Sequence, residues 1–218
     1  MTSSPASSRA DVVLRIERER AVAVVRTNEP QKLIQITEAL GVGGIVCIEV
    51  TMTVPNAIEG IRAVSEAMGE DVLVGAGSVT DAATTRAAID AGARYVVSPV
   101  FKPEVIEAAH QLEAAAMPGC FTPTEILAAH EAGADVVKVF PAGVLGMGFI
   151  KGVLAPLPYL KLMPTGGVSL DNATDWLRAG AVAVGAGSAL VDTAAIAAGD
   201  WATLTANARR LRASVDAA

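Results

Sequence analysis

Two ionisable side chains stand in apolar, β-branched runs where an unpaired charge is costly, and their chemistries are complementary. The first is Lys138, in Asp135-Val-Val-Lys-Val-Phe-Pro-Ala142. Side chains alternate across a strand, so Val136, Lys138 and Phe140 share one face while Val137 and Val139 share the other. An enclosed ammonium is relieved by loss of its proton, which leaves a neutral amine able to attack a carbonyl. A lysine at a strand end can equally reach water or pair with a carboxylate, and the stretch alone leaves both readings open. The second is Glu49, in Cys47-Ile-Glu-Val-Thr51, on the same face as Cys47 and Thr51. It is either a structural counter-ion for Lys138 or a carboxylate that moves protons during imine formation and carbon–carbon cleavage.

These two groups form one site only if the fold brings their strands together. Apolar strand patterns occur at residues 21–26, 43–51, 71–78, 94–98, 116–121, 135–140, 161–165 and 181–185, with helical patterns between them and at 10–20 and 202–215. The spacing, roughly 20 to 28 residues, is what one βα unit requires. Ala-Gly-Ala recurs at Ala91-Gly92-Ala93, Ala132-Gly133-Ala134 and Ala179-Gly180-Ala181, each time before a strand, where glycine can adopt the left-handed conformation that stops a helix. Near-continuous apolar strands alternating with helices predict a covered parallel sheet. Eight such units predict an α/β fold, a compact (β/α)8 TIM barrel over residues 10–218, with the extra N-terminal helix closing its lower end. Residues 1–9 read as a polar flexible tail. A doubly wound open sheet would need a glycine-rich loop after the first strand, and Val25-Arg-Thr-Asn-Glu-Pro30 is not one.

In such a barrel the site lies at the C-terminal ends of the strands. That selects Arg26, Glu49, Thr51, Ser78, Ser98, Pro99, Lys138, Phe140, Thr165 and Ser188. Few other charges fall at that end, which favours a functional over a structural role for Glu49. Pro164-Thr-Gly-Gly-Val-Ser169 and Gly185-Ala-Gly-Ser-Ala189 follow the last two strands, where bare backbone N–H groups commonly hold phosphate. Gly166, Gly167 and Ser188 are the phosphate candidates. His110 and His130 fall on helical patterns away from these ends.

Composition narrows the remaining classes. A hydrophobic content of 52% over 218 residues fits one domain with a substantial core. A formal charge of −6 argues against a nucleic-acid surface. Cys47 and Cys120 are isolated thiols without metal-ligand spacing, so no disulfide, metal or other cofactor is expected and a reducing cytoplasm is. No run approaches the ~20 uncharged apolar residues of a membrane span, and the polar opening lacks the apolar segment of a signal peptide.

Ile-Glu-Val-Thr (48–51), Gly-Ala-Gly-Ser (75–78), Ser-Pro (98–99), Pro-Gly-Cys-Phe-Thr-Pro-Thr-Glu (118–125), Lys-Val-Phe-Pro-Ala (138–142) and Pro-Thr-Gly-Gly-Val (164–168), in this order, resemble the 2-keto-3-deoxy-6-phosphogluconate (KDPG) aldolases, a family that includes 4-hydroxy-2-oxoglutarate (KHG) aldolases. The resemblance implies a class I aldolase in which Lys138 forms a Schiff base with C2 of the substrate and Glu49 is the general acid/base. It implies pyruvate and glyceraldehyde 3-phosphate as products, with 4-hydroxy-2-oxoglutarate or the phosphogalactonate-derived epimer as alternative substrates. Ser78 and the Phe140 region would hold the pyruvyl carboxylate, Pro99 and Thr165 would line the pocket, and Gly166, Gly167 and Ser188 would take the phosphate. A homotrimer is implied as well. Thr53 stands where many members carry a substrate-binding arginine; Arg26 could supply that charge. A sugar-phosphate isomerase or synthase on the same barrel, working without an imine, is the alternative, and would keep its activity without Lys138.

Overall fold

The computed structural model describes residues 8–218. Most of the tail expected over residues 1–9 lies outside the described residues, but its last two positions are structured. Ser8 caps the first helix, accepting from the Asp11 N–H while the Asp11 carboxylate accepts from the Ser8 N–H, and Arg9 begins the helix itself.

Helices and strands then alternate: α1 (Arg9–Glu19), β1 (Ala21–Val25), α2 (Leu33–Val42), β2 (Cys47–Thr51), α3 (Ala57–Met68), β3 (Leu73–Gly77), α4 (Ala82–Asp90), β4 (Tyr95–Val97), α5 (Pro103–Gln111), β5 (Ala115–Met117), β6 (Gly119–Cys120), α6 (Pro123–Glu131), β7 (Val137–Val139), α7 (Ala142–Leu145), α8 (Met147–Leu154), β8 (Leu162–Pro164), α9 (Ala173–Arg178), β9 (Val184–Ala186), α10 (Thr193–Ala198) and α11 (Trp201–Asp216). The fifth strand, expected as one run over 116–121, is two short strands interrupted at Pro118, which has no N–H to give to the ladder. Gly92, Gly133 and Gly180 all have positive φ, as the recurring Ala-Gly-Ala turns require.

All strand pairs are parallel. Six strands run in the order β5-β4-β3-β2-β1-β9 and three in the order β6-β7-β8. The two sheets are tied at both junctions: the Asp135 N–H donates to the Ala116 carbonyl, and Thr165 bridges Gly185. The fold is thus α/β, with curled parallel strands.

Strand alternation divides the core in two. Ala23, Val25, Ile48, Val50, Val74, Val96, Val137, Val139, Leu162 and Val184 face the surrounding helices in one large cluster. Val22, Cys47, Leu73, Tyr95, Val97, Met117, Val136 and Met163 form a second cluster with Val12, Val13 and Ile16 of α1. The periodicity of α1 therefore places one apolar stripe against the strands' inner face at their N-terminal end. Beyond that plug, toward the C-terminal ends, the same inner face carries Glu49, Thr51, Lys138 and Thr165.

Candidate active site

Lys138 is held by the ladder of β7. Its N–H donates to the Pro118 carbonyl at 2.9 Å, and its register partners are Gly119 and Met163. The residue is 6% exposed, and its ammonium lies 5.0 Å from the centroid of the Phe140 ring, two residues along the same face.

Glu49 sits at the middle of β2, between Val24 of β1 and Gly75 of β3. It is 0% exposed, and neither carboxylate oxygen has a hydrogen-bond partner among the described residues. Its side chain crosses Gly77, where a Cβ would overlap the carboxylate. Burial pushes the Glu49 carboxyl above its ordinary value of 4.5, and the positive charges of Lys138 and Arg26 pull it part of the way back. A carboxylate buried without partners is costly to keep. Its position next to a buried amine gives it a chemical use that a core residue would lack.

A cavity of about 390 Å³ is lined by Arg26, Phe140, Thr165, Gly166, Gly167 and Ser188, together with Thr27, Asn28 and Thr193; neither Lys138 nor Glu49 is on its wall, and Phe140, whose ring faces the Lys138 ammonium, links it to the lysine. Gly166 and Gly167 both have positive φ, and their loop is tied to α7: the Gly143 N–H donates to the Gly166 carbonyl at 2.7 Å and the Ala142 N–H to the Thr165 carbonyl at 2.9 Å. Asn172 holds the same loop from below, donating to the Gly167 carbonyl and accepting from the Ser169 N–H.

Thr53, Ser78 and Pro99 do not line this cavity. Thr53 is exposed, and its hydroxyl lies 2.8 Å from that of Thr51. The Thr51 hydroxyl also lies 3.2 Å from the Val25 carbonyl, which can only accept. Ser78 is half-buried at the end of β3 with a φ of 58°, and Pro99 is half-buried with its carbonyl packed against Gly119. Sequence reasoning passed over Thr27, Asn28, Thr193 and Asn172. Thr27 and Asn28 follow Arg26 directly, so extending the strand-end rule by two residues would have found them. Asn172 caps α9 and Thr193 begins α10, helix starts whose approach to the cavity loop only the folded chain decides. His110 instead bonds Asp135 at 3.0 Å, and His130 packs against Tyr159 with the rings tilted by 44°, both away from the C-terminal strand ends.

Residues 12–207 match the family described as "Aldolase: KDPG and KHG aldolase". The chain belongs to the KDPG and KHG aldolase family. It is an aldehyde-lyase. Among its relatives, a 2-dehydro-3-deoxy-phosphogluconate aldolase of Treponema pallidum is 38% identical over 88% of this chain and 91% of its own. A probable 2-dehydro-3-deoxy-6-phosphogalactonate aldolase of Rhizobium meliloti is 37% identical over 78% of this chain and 80% of its own. The KDPG aldolase of Legionella pneumophila, whose structure holds pyruvate as a covalent carbinolamine, superposes with a TM-score of 0.85 at 27% identity, over 94% of this aldolase and 98% of that chain. No group of three potential metal ligands occurs among the described residues, and no described helix is long and apolar enough to cross a membrane.

Proposed function

We propose that this aldolase cleaves KDPG reversibly to pyruvate and glyceraldehyde 3-phosphate through an imine on Lys138. The observation that carries the reading is the fully buried Glu49 carboxylate, without a hydrogen-bond partner among the described residues, on which the positive charge of the buried Lys138 bears from across the inner face. The neutral amine adds to C2, and loss of water gives the iminium. The C3–C4 bond then breaks, its electron pair moving toward the iminium to form an enamine, while Glu49 takes the proton of the C4 hydroxyl and the aldehyde departs. Protonation at C3 and hydrolysis of the imine release pyruvate and restore Lys138. Low local dielectric strengthens each of these charge interactions.

Phe140 and Ser78 bound the pyruvyl half in this reading, with Pro99 and Thr165 along the walls. The N–H groups of the Gly166–Gly167 loop and the Ser188 hydroxyl take the phosphate. Arg26, lining the same cavity as these groups, adds a cation for the anionic substrate. With Thr53 turned to Thr51, a second arginine is not needed to account for the pocket. The 4-hydroxy-2-oxoglutarate reaction uses the same pyruvyl half and differs only at the aldehyde end.

The architecture proposed for this activity is one (β/α)8 barrel over residues 10–218, supported by the ties at both sheet junctions and by the two-sided strand alternation. A homotrimer in a reducing cytoplasm completes the proposal; both cysteines are buried and unpaired. Borohydride reduction in the presence of pyruvate tests the chemistry. A mass increase is expected on the peptide containing Lys138, and its absence would overturn the imine mechanism.

A further inference from the structure

The inner face of β3 carries no side chain at two successive positions, Gly75 and Gly77, and neighbours from the flanking strands fill the space. Glu49 from β2 lies over Gly77, and the ring of Tyr95 from β4 lies over Gly75; a Cβ on either glycine would overlap them. The register places Glu49 and Tyr95 on opposite sides of the same residue, Gly75. Tyr95 thus extends its phenol edge toward β2.

Tyr95 is 0% exposed, and its hydroxyl has no hydrogen-bond partner among the described residues. Buried phenols are normally hydrogen-bonded. Glu49, also fully buried, presents two oxygens that can only accept. The other polar neighbour is Cys47 on β2, a thiol that burial holds protonated with a pKa of about 12, and a weak acceptor. Burial first, then the negative charges that Cys47 and Glu49 can carry, hold the Tyr95 phenol protonated as well, so it is available as a donor. The charged groups that bear on Glu49 from the other strands are Lys138 of β7 and Arg26 after β1.

We propose that Tyr95 is a positioning residue for the aldol reaction: its phenolic O–H is relayed to the Glu49 carboxylate across the bare backbone of Gly75 through one buried water, and so orients the acid/base and tunes it. The inference rests on the reading of Glu49 as that acid/base. A donor to a carboxylate favours its ionised form, so removing the donor makes Glu49 harder to ionise. Glu49 must be ionised to take the C4 hydroxyl proton.

Tyr95→Phe removes only the hydroxyl oxygen and leaves the ring over Gly75. The acid limb of the kcat–pH profile should move to higher pH by about 0.5–1 unit, with Tm and the yield of borohydride trapping at Lys138 unchanged. An unmoved limb overturns the proposal. A uniform loss at every pH together with a lowered Tm overturns it too, since it would mark a packing role alone. Glu49→Gln separates this outcome from failure of the underlying reading. If Glu49→Gln removes activity while the Tyr95→Phe profile stays in place, only the inference about Tyr95 falls. If Glu49→Gln keeps its activity, the assignment of Glu49 falls first.

Discussion

The two ends of the same strands solve opposite problems. At the N-terminal end, α1 closes the inner face with Val12, Val13 and Ile16 against Val22, Leu73 and Met117, so that end is packed mainly by apolar side chains. At the C-terminal end the inner face carries Glu49, a carboxylate with no hydrogen-bond partner among the described residues, and Lys138, an amine that lies over the Phe140 ring. One end stabilises the fold, and the other keeps costly groups in place for chemistry, a division that parallel α/β folds with their sites at the strand ends allow.

The largest effect should come from removing the nucleophile. Lys138→Met should lower kcat by at least ~10⁴-fold, since the covalent route is lost. Steady-state kinetics on KDPG checks it; retained activity would favour a reaction without an imine. Gly77→Ala should lower kcat by ~10²–10⁴-fold, the range for losing a positioned acid/base, because the new methyl takes the place of the Glu49 carboxylate. A crystal structure of the variant with Glu49 displaced would tie that loss to its cause.

At the other end, Ile16→Ala should cost ~2–5 kcal/mol of stability while kcat at 25 °C stays within about twofold of the parent. Denaturant melts and kinetics on the same preparation test this, and a large fall in kcat without a fall in stability would break the division between the two ends. Glu49→Gln should show the reverse trade. Its folded-state pKa is raised by burial, so the stability linked to protonation is fully present below the ordinary value of 4.5 and is lost as pH rises through the raised one. The glutamine variant should therefore melt higher than the parent near neutral pH, and the difference should shrink as pH falls toward 4.5. Thermal melts across pH read it directly, and an unchanged or lower Tm at neutral pH would contradict the cost assigned to the buried carboxylate.

Much of this was legible along the chain because strands and helices impose local periods. The run around Lys138 announced a strand, and Ala-Gly-Ala marked the helix ends before three strands. The motif from Pro164 to Val168 indicated a backbone loop free of side chains. The interruption at Pro118 was less visible, since the proline sits inside an otherwise apolar run and its effect depends on which neighbour would have received its missing N–H. Thr53, which the family resemblance puts where many members carry an arginine, lies 2.8 Å from the Thr51 hydroxyl, a contact that no pattern along the chain announces.

What the sequence determined by itself was the alternation: which residues share a face, where strands end, and hence that Glu49, Lys138 and the glycine-rich loops belong at one end of the sheet. Only the tertiary structure decided what each of those groups meets. The vacant inner positions of Gly75 and Gly77, the lack of a partner on Glu49 among the described residues, and the reach of Tyr95 across β3 depend on register and on neighbours twenty or more residues away. A local period fixes direction along one strand. Contact between strands is set by how all of them pack at once.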